Sequence, residues 1–120
     1  MKDRIKTHLL GKLRIYVKTG EKIKSKALRS KLFPTSVHKG IIDMAKEDGL
    51  MNASVYTTQM GFSNYERVSQ FAMESDNLGL TVCIELIDKK ENLQTFFLKH
   101  KSLFKDKVVV YKEVEYWDAD

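Results

Sequence analysis

The chain states one pattern twice: residues of strand period, then residues of helix period, then strand period again. Near the start, Leu13, Ile15 and Val17 alternate with Arg14 and Tyr16, the period of two that puts every second side chain on one face of a strand. Pro34-Thr35-Ser36 then marks a helix start, with a hydroxyl placed to satisfy an orphan N–H. Val37, Ile41, Met44, Ala45 and Asp48 follow at helical spacing, all but the last apolar. Gly49 is placed to stop that helix. Residues 52–60 are rich in β-formers and predict a second strand that ends at Gly61. Residues 80–87 begin the second statement, with Leu80, Val82, Ile84 and Leu86 opposite Thr81, Cys83, Glu85 and Ile87. Asp88 and Glu91 read as a capping box for a second helix. One face of that helix carries Leu93, Phe96, Phe97, His100, Leu103 and Phe104. A final strand runs over residues 107–116, where Val108, Val110, Val114 and Tyr116 alternate with Val109, Tyr111, Glu113 and Glu115.

Strand, helix, strand, strand, helix, strand is the order of the split βαβ unit. The predicted fold class is therefore α+β and ferredoxin-like: a four-stranded antiparallel sheet, first and third strands inside, with two helices on one face. A length of 120 residues fits a single domain over 1–120. Within it we expect an N-terminal arm over 1–10, a basic loop over 18–34 and a long loop over 61–77. Ser63 and Glu66 have the spacing of a capping box for a short helix in that last loop; the alternative is irregular chain.

If both helices cover the face of Leu13, Ile15 and Val17, the other face is open. It is expected to carry Arg14, Tyr16, Tyr56, Met60, Thr81, Cys83, Glu85, Val109 and Tyr111. That is more aromatic than a solvated face, which points to a homo-oligomer that hides it. Arg14 and Glu85 are expected to pair across the inner strands.

Net charge is +5. The excess is local: Lys18, Lys22, Lys24, Lys26, Arg29 and Lys31 are opposed only by Glu21. Such a stretch suits phosphate, nucleic acid or an acidic membrane protein, or is simply a solvated loop. The one cysteine, Cys83, excludes an internal disulfide and a multi-cysteine zinc site, and its apolar neighbours predict a buried side chain. His8, His38 and His100 stand at no metal-ligand spacing. Neither a Gly-x-Ser-x-Gly elbow nor a phosphate loop of Walker or Gly-x-Gly-x-x-Gly type occurs. No enzyme activity, resident cofactor or metal is expected. With no apolar run of bilayer length and no signal-peptide block, the expected location is the cytoplasm. Gln59-Met-Gly-Phe-Ser-Asn64 ends a strand in glycine before a polar loop; backbone N–H groups at such a turn can hold an anion, although a glycine that ends a strand is more often a plain turn.

Several short motifs in a shared order resemble the PII-like proteins grouped as domain of unknown function 190. They are Gly11-Lys-Leu-Arg-Ile-Tyr-Val17, Ala53-Ser-Val55, Gly61-Phe62, Ser75-Asp-Asn-Leu78, Val82-Cys-Ile-Glu-Leu-Ile-Asp88, Phe96-Phe-Leu98 and Val110-Tyr-Lys-Glu-Val-Glu-Tyr116. The resemblance implies a ferredoxin-like subunit in a homotrimer built by packing the open sheet faces together. It further implies a small anionic metabolite or adenine nucleotide as effector, held between subunits. The loop after the second strand, residues 61–77, would report the ligand state to a partner such as a membrane transporter or channel. Where PII proteins carry Gly-Asp-Gly-Lys before the last strand, this chain has Phe104-Lys-Asp-Lys107. Gly61, Phe62, Ser63, Asn64, Lys105 and Lys107 are the candidate ligand contacts, the lysines because an ammonium suits phosphate as a point charge. Two other readings stand beside this one: a nucleic-acid-binding module using the basic loop and exposed tyrosines, and an interaction protein without a ligand.

Overall fold

In the computed structural model, which describes residues 4–21, 36–72 and 79–119, the strands are β1 (Lys6–Lys18), β2 (Asn52–Thr57), β3 (Met60–Gly61), β4 (Ser69–Gln70), β5 (Thr81–Asp88) and β6 (Val108–Asp118). The helices are α1 (Val37–Glu47), α2 (Lys90–Lys99) and α3 (Lys101–Phe104). Four strands form one antiparallel sheet in the order β2-β5-β1-β6. The two strands with the strictest alternation, β1 and β5, are therefore the inner pair, as expected. Ile15, Val82, Ile84 and Leu86 are buried beneath Val37, Ile41 and Ala45 of α1 and Leu93 and Phe96 of α2, so both helices cover one face. Fully burying each of the Val, Leu, Ile and Phe side chains among these contributes about 1.5–3 kcal/mol.

Register corrects the expected open face. Leu13 stands opposite Leu86 and Tyr111, and Ile15 opposite Ile84 and Val109. Directly opposed residues share a face, so Val109 and Tyr111 lie on the helix side. The run Val108-Val109-Val110 gives no parity of its own; pairing with β1 sets it. Met60 is not on the open face either, because β2 ends at Thr57 and Met60 belongs to a separate β3–β4 hairpin. The open face carries Lys12, Arg14 and Tyr16 on β1, Cys83, Glu85 and Ile87 on β5, Tyr56 on β2, and Val108 and Val110 on β6. Arg14 pairs with Glu85 at 3.2 Å as predicted, and Lys12 reaches the same carboxylate at 3.8 Å. Cys83 is half-buried here rather than in the core. Burial pushes its thiol pKa up, against a hydrogen bond with Tyr16.

Other boundaries also move. From Lys6 the expected N-terminal arm is strand, paired as far as Asp118 and bringing His8 opposite Tyr116. Ser36 is the N-cap of α1 but makes no side-chain cap bond; the Val37 N–H donates instead to the Glu21 carbonyl at 2.8 Å. Residues 22–35 of the basic loop, with Pro34 and Thr35, lie outside the described residues, as do 73–78 of the long loop. Gly49 closes α1 at φ +78°, the left-handed conformation. Asp88 is the last residue of β5 and not a helix cap, since Lys89 holds that position. Its carboxylate accepts from the N–H groups of Met51 and Lys89 and from Asn92 Nδ2, at 2.8, 2.6 and 2.8 Å. Burial would raise the Asp88 carboxyl, but these hydrogen bonds hold it below its ordinary value. His100 interrupts the second helix between α2 and α3. It is buried on the Phe96 ring, and its Nε2 lies 2.8 Å from Asp48 Oδ2. Lys99 donates to the other Asp48 oxygen at 2.7 Å, and that bond leads in holding the Asp48 carboxyl low against burial. No helix among the described residues is long and apolar enough to cross a membrane.

Candidate functional site

Three tight turns meet at one end of the sheet. The first follows β1: Glu21 N–H returns to the Lys18 carbonyl at 3.3 Å, with Gly20 at φ +82°. The second is the tip of the β3–β4 hairpin. There Glu66 N–H donates to the Ser63 carbonyl at 3.1 Å, with Asn64 and Tyr65 at φ +53° and +64°. Two successive left-handed residues make a type I′ turn, so the helix that Ser63 and Glu66 suggested does not form. The third precedes β6: Lys107 N–H donates to the Phe104 carbonyl at 3.1 Å across Asp106 at φ +64°.

The hairpin is fixed at its base and at its tip. Thr58 Oγ1 donates to the Thr81 carbonyl at 2.5 Å, and Phe71 N–H to the Gln59 carbonyl at 2.6 Å. Ser69 Oγ accepts from Thr81 N–H and donates to the Gly61 carbonyl. At the tip, Asn64 Nδ2 donates to the Asp106 carbonyl at 2.7 Å, tying the second turn to the third.

Between the turns lies a cleft of about 480 Å³, lined by Tyr16, Lys18, Glu21, Ser63, Asn64, Glu66, Asp106 and Lys107 among others. Both lysines are engaged. Lys18 Nζ is 2.9 Å from Glu66 Oε2. Lys107 Nζ donates to Glu21 Oε2, while Glu21 Oε1 accepts the Lys18 backbone N–H at 3.3 Å.

Of the six residues singled out by sequence, Ser63, Asn64 and Lys107 come together here. Gly61 lies in β3, Phe62 is exposed on the hairpin and Lys105 is exposed in the turn before β6; none of these lines the cleft. Lys18, Glu21, Glu66 and Asp106 were not singled out. A turn signal existed for the first two, since Gly20 closes a four-residue turn directly after the alternating strand. Glu66 and Asp106 arrive through tertiary folding alone. The hairpin also exposes Met60, Phe62, Tyr65, Val68 and Phe71. Among the described residues no group of three or more His, Cys, Asp or Glu side chains is placed to hold a metal ion.

The family model of DUF190, described as "Uncharacterized ACR", matches residues 10–116. No curated protein matches the sequence. In structure the chain is similar to CPII bound to ADP and bicarbonate, from Thiomonas intermedia K12, at 12% identity and TM-score 0.64 over 96% of this chain and 95% of that one. CPII bound to ADP, AMP and bicarbonate, described as a nitrogen regulatory PII-like protein from the same organism, gives 13% identity and TM-score 0.66 over 96% and 94%. A putative PII-like signaling protein from Thermus thermophilus gives 13% identity and TM-score 0.55 over 93% and 91%. At such identities the likeness shows the fold.

Proposed function

The chain belongs to the DUF190 family and has the fold of PII-like proteins, and from these premises we propose that it is a PII-like regulatory protein rather than an enzyme. On this reading residues 1–120 form one domain, three copies pack their open sheet faces together, and an adenine nucleotide binds at the cleft. Ser63, Asn64, Lys18 and Lys107 are its contacts within one chain. The observation that carries the reading is the meeting of the three turns: residues far apart in sequence supply two ammonium groups and an amide around a space of about 480 Å³.

CPII is described as binding ADP and AMP, so these two nucleotides are the ligands to try. The β3–β4 hairpin is the part suited to report on the cleft. Asn64 and Glu66 anchor it to the site, and its exposed Phe62, Tyr65 and Val68 are available to a partner protein. A membrane transporter or channel is the partner class this reading takes.

Thermal denaturation with ADP and with AMP tests the ligand. A nucleotide that binds only the folded protein adds about 2.7 kcal/mol at a concentration a hundredfold above Kd. A rise of several degrees in Tm with either nucleotide is expected. An unchanged Tm with both, together with silent titration calorimetry, would remove the nucleotide from the reading.

A further inference from the structure

We infer that Glu21 is a built-in occupant of the anion position at Lys107, and that it restricts the cleft to ligands bearing a phosphate group while turning monocarboxylates away. The inference rests on the cleft being the ligand site proposed above.

Glu21 is fixed at every polar group that the turn allows. Its N–H returns to the Lys18 carbonyl, its own carbonyl accepts Val37 N–H, and Oε1 accepts Lys18 N–H. That leaves Oε2 delivered to Lys107 Nζ. The side chains of this pair are only 18% and 28% exposed for Lys107 and Glu21, against 42% and 46% for Lys18 and Glu66, so solvent screens the Glu21 pair less.

A group tethered this closely competes at an effective concentration in the millimolar range or above. An incoming monocarboxylate offers Lys107 the same group that it already holds. It gains no charge in the exchange, and it leaves the Lys18 N–H without its acceptor. A terminal phosphate differs in two respects. It carries roughly −1.5 to −2 charge at neutral pH, and three strong acceptor oxygens. It can therefore take Lys107 from Glu21 and still offer an acceptor to Lys18. Selectivity thus comes from a competitor inside the protein as much as from the contacts made to the ligand.

Titration calorimetry of the full chain with ADP, repeated with excess acetate at constant ionic strength, tests this on the wild type, Glu21→Gln and Glu21→Asp. Glutamine keeps an acceptor for Lys18 N–H but removes the charge from Lys107; aspartate keeps the charge and withdraws it from the ammonium. At least a threefold gain in ADP affinity is expected in whichever variant is folded by circular dichroism. Acetate is expected to compete with ADP in Glu21→Gln and not in the wild type. A smaller gain, a loss, or acetate competing equally in both proteins overturns the role of Glu21 while leaving the cleft as the ligand site. Absence of ADP binding in wild type and variants alike overturns the nucleotide reading of the cleft, and the role of Glu21 with it.

Discussion

Asp106 occupies the one position in the turn before β6 where a side chain is costly. Lys105 has φ −62° and ψ 133°, and Asp106 has φ +64°, which are the dihedrals of a type II turn and call for glycine at the second central residue. Aspartate tolerates the left-handed region better than most residues but still prefers to be elsewhere. Its carbonyl, not its carboxylate, holds Asn64. Asp106→Gly keeps that carbonyl and relieves the backbone, so stability is expected to rise by roughly 0.5–1 kcal/mol, read as a higher urea midpoint at unchanged m-value. A fall in the midpoint would mean that the carboxylate has a structural role in the cleft. Residue placements of this kind were only partly legible in the sequence. Lys107 and Ser63, singled out from chemistry and position, do line the cleft, but Glu21 looked like the lone acid in a basic loop. Its placement depends on a turn that carries it back over the strand it has just left.

At the scale of elements, periodicity made most of the fold legible. The strict alternation of residues 13–17 and 80–87 identified the inner strands, and the spacing from Val37 to Ala45 identified α1. Where the pattern has no phase, the sequence misleads. Three successive valines left the parity of β6 open, and its pairing with β1 put Tyr111 under the edge of α2. The consequence appears at Gly11. This buried glycine of β1 lies where a Cβ would stand 2.5 Å from Tyr111 Cε1 and 2.9 Å from Leu93 Cδ1. The ring of Tyr111 thus packs over a strand glycine, two residues along from its own partner Leu13. Alanine elsewhere in a strand would gain roughly 0.5–1 kcal/mol over glycine. Here it must move either the tyrosine or the fully buried Leu93, and Gly11→Ala is expected to destabilise by about 1–3 kcal/mol, measured by chemical denaturation. An unchanged midpoint would show that the Tyr111 ring swings outward freely. The hairpin β3–β4 had no such signature: two-residue strands are too short for a period, and its turn rests on Asn64 and Tyr65 rather than on the Asn-Gly pair that would announce it.

For the whole molecule, the decisive question is what covers the open face of the sheet. Its centre is polar in an organised way: Glu85 sits between Lys12 and Arg14, its side chain only 12% exposed. Around this triad lie Tyr16, Ile87, Tyr56, Val108 and Val110. A face meant only for water has no need of two tyrosines, an isoleucine and two valines, whereas an interface core is apolar and aromatic with few, paired charges. Tyr56 is 55% and Val110 46% exposed in the single chain. Charges placed there barely disturb a lone subunit, yet must be desolvated, like against like, if copies pack these faces together. Tyr56→Glu combined with Val110→Glu therefore separates assembly from folding. Light scattering on the wild type is expected to give three times the chain mass of 13.9 kDa, and the double variant one chain mass with an unaltered circular dichroism spectrum. A wild type that runs as one chain would leave the face to solvent and remove the trimer. A variant that keeps the wild-type mass would move the interface elsewhere, with the long β1–β6 ribbon, which extends to Asp118 beyond the end of β5, the next surface to test.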